Sequence, residues 1–195
     1  RKGTGYYDWF PDLKDRAGFE KLVDFDLKRA QRFYEELAAI VGFSGVADFP
    51  RQVFRFKAFT GGYWVTKDQL DNNKNNNNAL RALDNKYVHQ AEEIYAFLPN
   101  GLFVFFLCDD KGVRQDSAPD KIGHDKLATR SDARIHVGMS CVRCHAEGLR
   151  PIDDWARTVF DKRTGLTLDT TDAKEYGIVD EVFAVQVFQL DPFEC

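Results

Sequence analysis

Cys141, Cys144 and His145 stand in the run Cys141-Val142-Arg143-Cys144-His145. These residue types at this spacing can hold a haem covalently. Two thiols three positions apart reach one porphyrin edge from a single turn of backbone and add across its vinyl groups as thioethers. The imidazole that follows at once meets the iron from the proximal side. Two plainer chemistries compete. A thioredoxin-like redox pair needs a strand before the first cysteine and a helix running on from it, whereas Gly138-Met139-Ser140 precedes the run and Gly148 and Pro151 follow it. A structural zinc site needs two more ligands at similar spacing, and the sequence holds no second Cys-x-x-Cys and no His-x3-His.

With His145 as the expected proximal ligand, the other face of the iron must draw on what lies upstream. The motif sits about three quarters of the way along the chain, and no Met or His follows it. The one Met, Met139, is on the attachment turn itself and cannot easily swing to the opposite face; His136, five residues before Cys141, shares that difficulty. His124 falls in a polar loop, where a solvated imidazole is the default. His89 enters an expected strand and is the expected sixth ligand, because a stiff sheet can present it. A five-coordinate iron, or a Lys or Tyr ligand, is the other arrangement. Arg143, Arg150 and Arg134 flank the motif, and a guanidinium fork suits the anionic haem propionates.

The elements that must position these residues read as follows. Leu27, Ala30, Phe33, Tyr34, Leu37, Ala38 and Val41 recur at three-four spacing and predict a helix over Asp24 to Val41, capped by Asp24 or Asp26 and ended by Gly42. Val53 to Phe59 alternates as a half-buried strand, Gly61-Gly62 breaks it, and Tyr63 to Thr66 reads as a second strand. Asp71 to Asn78 holds six Asn and one Lys, a solvated loop. Glu93 to Leu98 and Leu102 to Cys108 predict a hairpin across Pro99-Asn100-Gly101, its second strand apolar on both faces and hence central. Asp109-Asp110-Lys111-Gly112 is a further turn, and Arg114 to Arg134 a polar loop. Pro151 to Phe160 predicts a short helix, and Val182 to Leu190 fits a strand or a helix.

The 195 residues suffice for one or two domains. The division expected is a largely helical part over 1–70, the Asn-rich loop over 71–80 and a haem-carrying part over 81–195, or one domain overall. The 17 Phe, 7 Tyr and 3 Trp suit a chain that walls off a flat cofactor, and equally a β-rich core. A net charge of −4 argues against nucleic acid and fits a redox partner with a basic patch. The longest apolar run, Leu102 to Cys108, is far too short to span a membrane. Haem c is attached outside the cytoplasm, so a periplasmic or extracellular location is expected. The opening Arg1-Lys2-Gly3-Thr4-Gly5 carries no secretory leader, which predicts a mature product or part of a longer polypeptide. Cys108 is expected to be buried and free, with a Cys108–Cys195 disulfide as the alternative.

Taken in order, Leu98-Pro99-Asn100-Gly101-Leu102, the apolar strand, Asp110-Lys111-Gly112, and Gly138 to His145 with Gly148 after it resemble the haem-binding domain of large exported proteins abundant in planctomycete-like bacteria. The likeness runs from about Phe54 to Leu149. It extends to a His shortly before the hairpin, where His89 stands, and to a Gly-x-Tyr-Trp stretch like Gly62-Tyr63-Trp64. The Asn-rich loop departs from that pattern. A late haem motif behind an antiparallel sheet is also similar, in architecture alone, to the β-rich cytochromes of the c-prime-beta kind. The expected protein is therefore an α+β monohaem c-type cytochrome that carries electrons to a redox partner or within a larger complex. Its rivals are a five-coordinate haem enzyme or gas or peroxide sensor, and a structural haem subunit of a redox complex.

Overall fold

Apolar residues on alternate positions, punctuated by glycine, build most of one antiparallel sheet. The computed structural model describes residues 5–32, 36–42, 44–70, 87–128 and 131–149. In chain order the elements are α1 (Arg16–Leu22), α2 (Leu27–Arg32), β1 (Glu36–Val41), β2 (Arg51–Ala58), β3 (Gly61–Asp68), β4 (Ala91–Phe97), β5 (Phe103–Asp109) and α3 (Met139–Cys144). The strands lie in the order β1-β2-β3-β4-β5, each antiparallel to the next. The result is a β-rich α+β architecture, a five-stranded sheet with a few short helices.

The predicted hairpin forms, and the two strands read upstream of it pair as another. Phe59 and Thr60 join β2 to β3 across the Ala58–Gly61 pair, with Gly61 at φ 127°. β4 and β5 pair from Ala91–Asp109 to Phe97–Phe103. Their loop departs from a turn with two positive φ angles: Gly101 alone has one, at 82°, while Asn100 acts through its side chain, accepting from the Leu102 N–H at 3.1 Å.

The helix expected over Asp24 to Val41 is half correct. Asp26 caps α2, its carboxylate accepting from the Arg29 N–H at 3.0 Å, but α2 ends at Arg32 and β1 follows. The reason lies in Glu36-Leu37-Ala38-Ala39-Ile40-Val41. A short, nearly continuous apolar run satisfies a three-four pattern and a strand buried on both faces equally well, and here Ala39, Ile40 and Val41 are all buried. Residues 1–70 are therefore not largely helical: three of the five strands lie there, and the sheet continues through the β3–β4 pairing. Asp71 to Asn78, Pro151 to Phe160, Val182 to Leu190, Arg150 and Cys195 lie outside the described residues.

One face of the sheet carries the main core. Phe56, Tyr63, Ile94, Val104 and Phe106 point there and are buried. Phe25 stacks on Tyr63 at 4.0 Å between ring centroids and Phe19 of α1 on Phe106 at 5.1 Å. Each such ring contributes about 1.5–3 kcal/mol of burial. Cys108 closes this face of β5, fully buried and free, as expected.

The outer edge of β5 is stitched by the segment before α1. The Phe105 N–H donates to the Tyr6 hydroxyl at 2.8 Å, and the Leu107 N–H to the Tyr7 hydroxyl at 3.2 Å. An edge strand must hide such donors or risk pairing with another chain. Burial pushes the Tyr6 phenol up to about 12 and the Tyr7 phenol higher still. The ring of Tyr6 then lies against Gly138, where an added Cβ would meet it at 2.2 Å, and Gly138 has φ 76°. Gly138→Ala is expected to cost about 2–4 kcal/mol, from the positive φ and the overpacking together. A urea titration checks it; a cost below 1 kcal/mol would contradict this packing.

Candidate haem-attachment site

α3 places the motif on the second face of the sheet. Cys141, Cys144 and His145 are spaced i, i+3 and i+4, so they share one side of the helix. The His145 N–H closes the last turn on the Cys141 carbonyl at 2.9 Å. The His145 ring lies against Tyr95 and Phe105, with centroids at 5.6 and 5.8 Å. These are facing residues of β4 and β5. Around them Trp64 stacks on Tyr95 at 5.1 Å, and Phe103 packs on Phe97 at 4.2 Å. Trp64, Tyr95, Phe97 and Phe103 are only half-buried. A shelf of aromatic rings therefore runs beside the motif, a surface suited to a flat apolar ligand.

His145 is held in one tautomer. Its Nδ1 lies 3.2 Å from the Gly148 carbonyl oxygen. A carbonyl can only accept, so Nδ1 carries the proton and Nε2 keeps its lone pair. A metal-ligating histidine is usually oriented in this way by a backbone or carboxylate acceptor. Gly148, at φ 100°, is the residue that brings that carbonyl round.

The geometry bears on the competing chemistries. Cys141 and Cys144 are free thiols. Burial pushes the Cys141 thiol up to about 12, the reverse of the lowered value that makes a redox cysteine reactive. α3 starts at Met139, so neither cysteine stands at the strand-to-helix junction of a thioredoxin-like pair. Among the described residues no group of three or more His, Cys, Asp or Glu is gathered to hold a metal ion. A porphyrin asks for no such cage: it brings four equatorial nitrogens, takes its thioethers at its edge, and needs a protein ligand only along its axis. The free thiols, the oriented imidazole and the shelf all fit a haem c.

The structure does not bring His89 and His145 together. Successive side chains of a strand point to opposite faces. His89 Nε2 is bonded to Glu92 Oε1 at 3.0 Å, and Glu92 belongs to the opposite face from Tyr95, where Arg16 Nη1 donates to both its oxygens at 2.9 and 2.7 Å and the Cys108 thiol donates at 3.5 Å. Ala91 and Tyr95 are also four residues apart on β4, about 13 Å. The expected His89–iron bond thus has no support in this arrangement. A resemblance and a nearby strand suggested it; His89 precedes β4, and its bond to Glu92 works against it.

The other two histidines are also engaged elsewhere. His124 Nδ1 lies 3.3 Å from Asp48, half exposed. His136 Nε2 lies 3.0 Å from Asp132. All 4 His and the single Met of the chain are now placed, and each of His89, His124 and His136 has a carboxylate partner. The arginines divide too. Arg143 is bonded to the buried carboxylate of Asp125, and Arg134 pairs with Asp132 at 3.0 Å on the surface. Asp125 and Tyr6 were not found in the sequence, and Gly148 was noted there without its role. Gly138 and Gly148 flanking the motif were the only local signal, since the partners of Tyr6 and Asp125 lie far along the chain.

Glu92 makes the role of His89 measurable. Burial pushes its carboxyl up, but the His89 bond and the Arg16 charge outweigh that and hold it below the ordinary carboxylate value. A lowered folded value stabilises the fold above the unfolded value of about 4.3, and that contribution is lost as pH falls through the folded value. His89→Ala is expected to cost about 1–2 kcal/mol at neutral pH and to leave any haem absorption spectrum unchanged. A changed low-spin signal in this variant would restore His89 as a ligand.

Among the described residues no helix is long and apolar enough to cross a membrane. The chain matches no protein-family profile, no curated protein and no solved structure.

Proposed function

We propose that this chain is a monohaem c-type domain that works in electron transfer outside the cytoplasm. The haem would be joined to Cys141 and Cys144, with its iron held by His145. One observation carries this reading: the two thiols and an imidazole with a free Nε2, oriented by the Gly148 carbonyl, lie on one helix side next to an aromatic shelf. When bound, the haem supplies a one-electron iron couple whose potential depends on ligand, burial and hydrogen bonding. The chain attaches the group, aims one ligand and excludes water with Tyr95, Phe105 and their neighbours. A redox protein with a basic patch, or a larger multi-subunit complex, is the partner that the net charge of −4 suits. The planctomycete-type resemblance supports the same reading. The test is a pyridine haemochrome on protein made in a host that exports it and attaches haem: a spectrum of the two-thioether type supports the proposal, and colourless or haem b-type protein refutes it.

A second reading rests on the partners of His89, His124 and His136, each held by a carboxylate. With Met139 on the attachment helix, an iron bound by His145 alone stays open on its other side. That would suit a peroxide enzyme or a gas sensor. Electron paramagnetic resonance separates the two: a low-spin ferric signal supports electron transfer, and a high-spin one supports the open site.

A further inference from the structure

A buried carboxylate outside the motif grips the motif's helix. Asp125 lies between β5 and α3 and is 3% exposed. Its Oδ2 accepts from the Ser140 hydroxyl at 2.6 Å and from Arg143 Nη2. Its Oδ1 accepts from the Leu127 N–H at 3.1 Å. Ser140 is itself 2% exposed, and its hydroxyl oxygen accepts from the His136 N–H at 3.1 Å.

The spacing of these contacts matters. Ser140 immediately precedes Cys141, and Arg143 immediately precedes Cys144. The two gripped residues are i and i+3, one ridge of the helix, turned by about 100° from the ridge of the cysteines. Two contacts along one ridge fix both the position of α3 and its rotation about its own axis. A six-residue helix has no stable direction of its own, so this grip decides where Cys141, Cys144 and His145 point. The loop that bears Asp125 is in turn anchored where Gly123 passes the Val46 carbonyl with no room for a Cβ.

The charge matters separately. A buried carboxylate is costly unless paired, and its partner here is a cation standing between the two cysteines of the motif. We propose that Asp125 is a positioning residue of the haem site: it sets the rotation of α3 and neutralises Arg143 within the motif. This rests on the haem reading.

The test is Asp125→Asn in the exported, haem-loaded chain. An amide can still accept from Ser140, but it no longer cancels the guanidinium. An uncompensated cation beside the haem disfavours the ferric state. The expected result is unchanged haemochrome content, an altered Soret circular dichroism, and a tenfold rise in the reduced-to-oxidised ratio at fixed solution potential, about 59 mV for one electron. Asp125→Asn with Arg143→Gln should bring the potential back. Where Asp125→Asn does not accumulate, Arg143→Gln alone should shift the potential the other way, since it leaves the carboxylate unpaired. An unchanged potential and Soret signal in haem-loaded variants overturns the proposal, whatever happens to melting temperature. Absence of covalent haem from the unaltered protein overturns the haem reading itself, and the haemochrome reports that separately.

Discussion

Replacing Cys141 and Cys144 together with alanine is expected to remove all covalently held haem and to leave the five-stranded sheet in place. Both sulfurs sit on one side of α3 beside His145, and only thioethers keep a haem on a denatured chain. Acid–acetone extraction of the double variant should therefore leave no haem with the protein. Either single variant should keep one link or give little holoprotein. The sheet does not depend on the thiols: its core is built from Phe19, Phe56, Tyr63, Ile94 and Phe106 on the far face. Cys141 is only partly buried, against a cluster that includes Phe105 and Leu107 of its own face, so its truncation costs on the order of 1 kcal/mol. Far-ultraviolet circular dichroism checks the fold and extraction checks the link. Haem retained by the double variant after extraction would place the attachment elsewhere.

Arg51→Ala is expected to destabilise the chain by about 3–5 kcal/mol, a large part of the roughly 5–15 kcal/mol that holds a domain folded. Arg51 is 6% exposed and ties three strands together on the face that bears the motif. Its Nε and Nη2 donate to Asp68 at 2.7 and 2.5 Å, and Nη2 also donates to Glu93 at 2.8 Å and to the Thr66 hydroxyl at 3.1 Å. Burial would lower the guanidinium's proton affinity, but the charges of Asp68 and Glu93 reverse that and raise it. Asp68 is 2% exposed, and burial already pushes its carboxyl up against the pull of Arg51. Removing the cation strands that carboxylate in a dry site, and the strand is then held by a penalty instead of a pair. Urea denaturation at neutral pH measures the loss. A cost under 1 kcal/mol would mean that water reaches the carboxylates and that this face is wetter than described.

What the sequence could reveal divides along the range of the interactions. β2 to β5 were legible because their signals are local: alternation, Gly61, and the Asn100-Gly101 turn. β1 was not, because Ala38 to Val41 is apolar at every position, and only its pairing with β2 decides between strand and helix. The cysteines and His145 were legible because their chemistry is encoded in five consecutive residues. The neighbours that orient them were not. Tyr6 is 99 residues from Phe105, and Asp125 is 15 residues from Ser140; no local pattern marks such pairs. His89 shows a different limit: it precedes β4, and its bond to Glu92 depends on how the chain turns before the strand, which proximity to a strand does not reveal.

The most direct test of covalent attachment is the mass of the peptide that holds residues 141–145, released by proteolysis from chain exported and loaded in a haem-attaching host. This peptide is expected to carry the mass of one intact haem, with both cysteines resistant to alkylation. The same peptide at its bare mass, with Cys141 and Cys144 both alkylated, would contradict it.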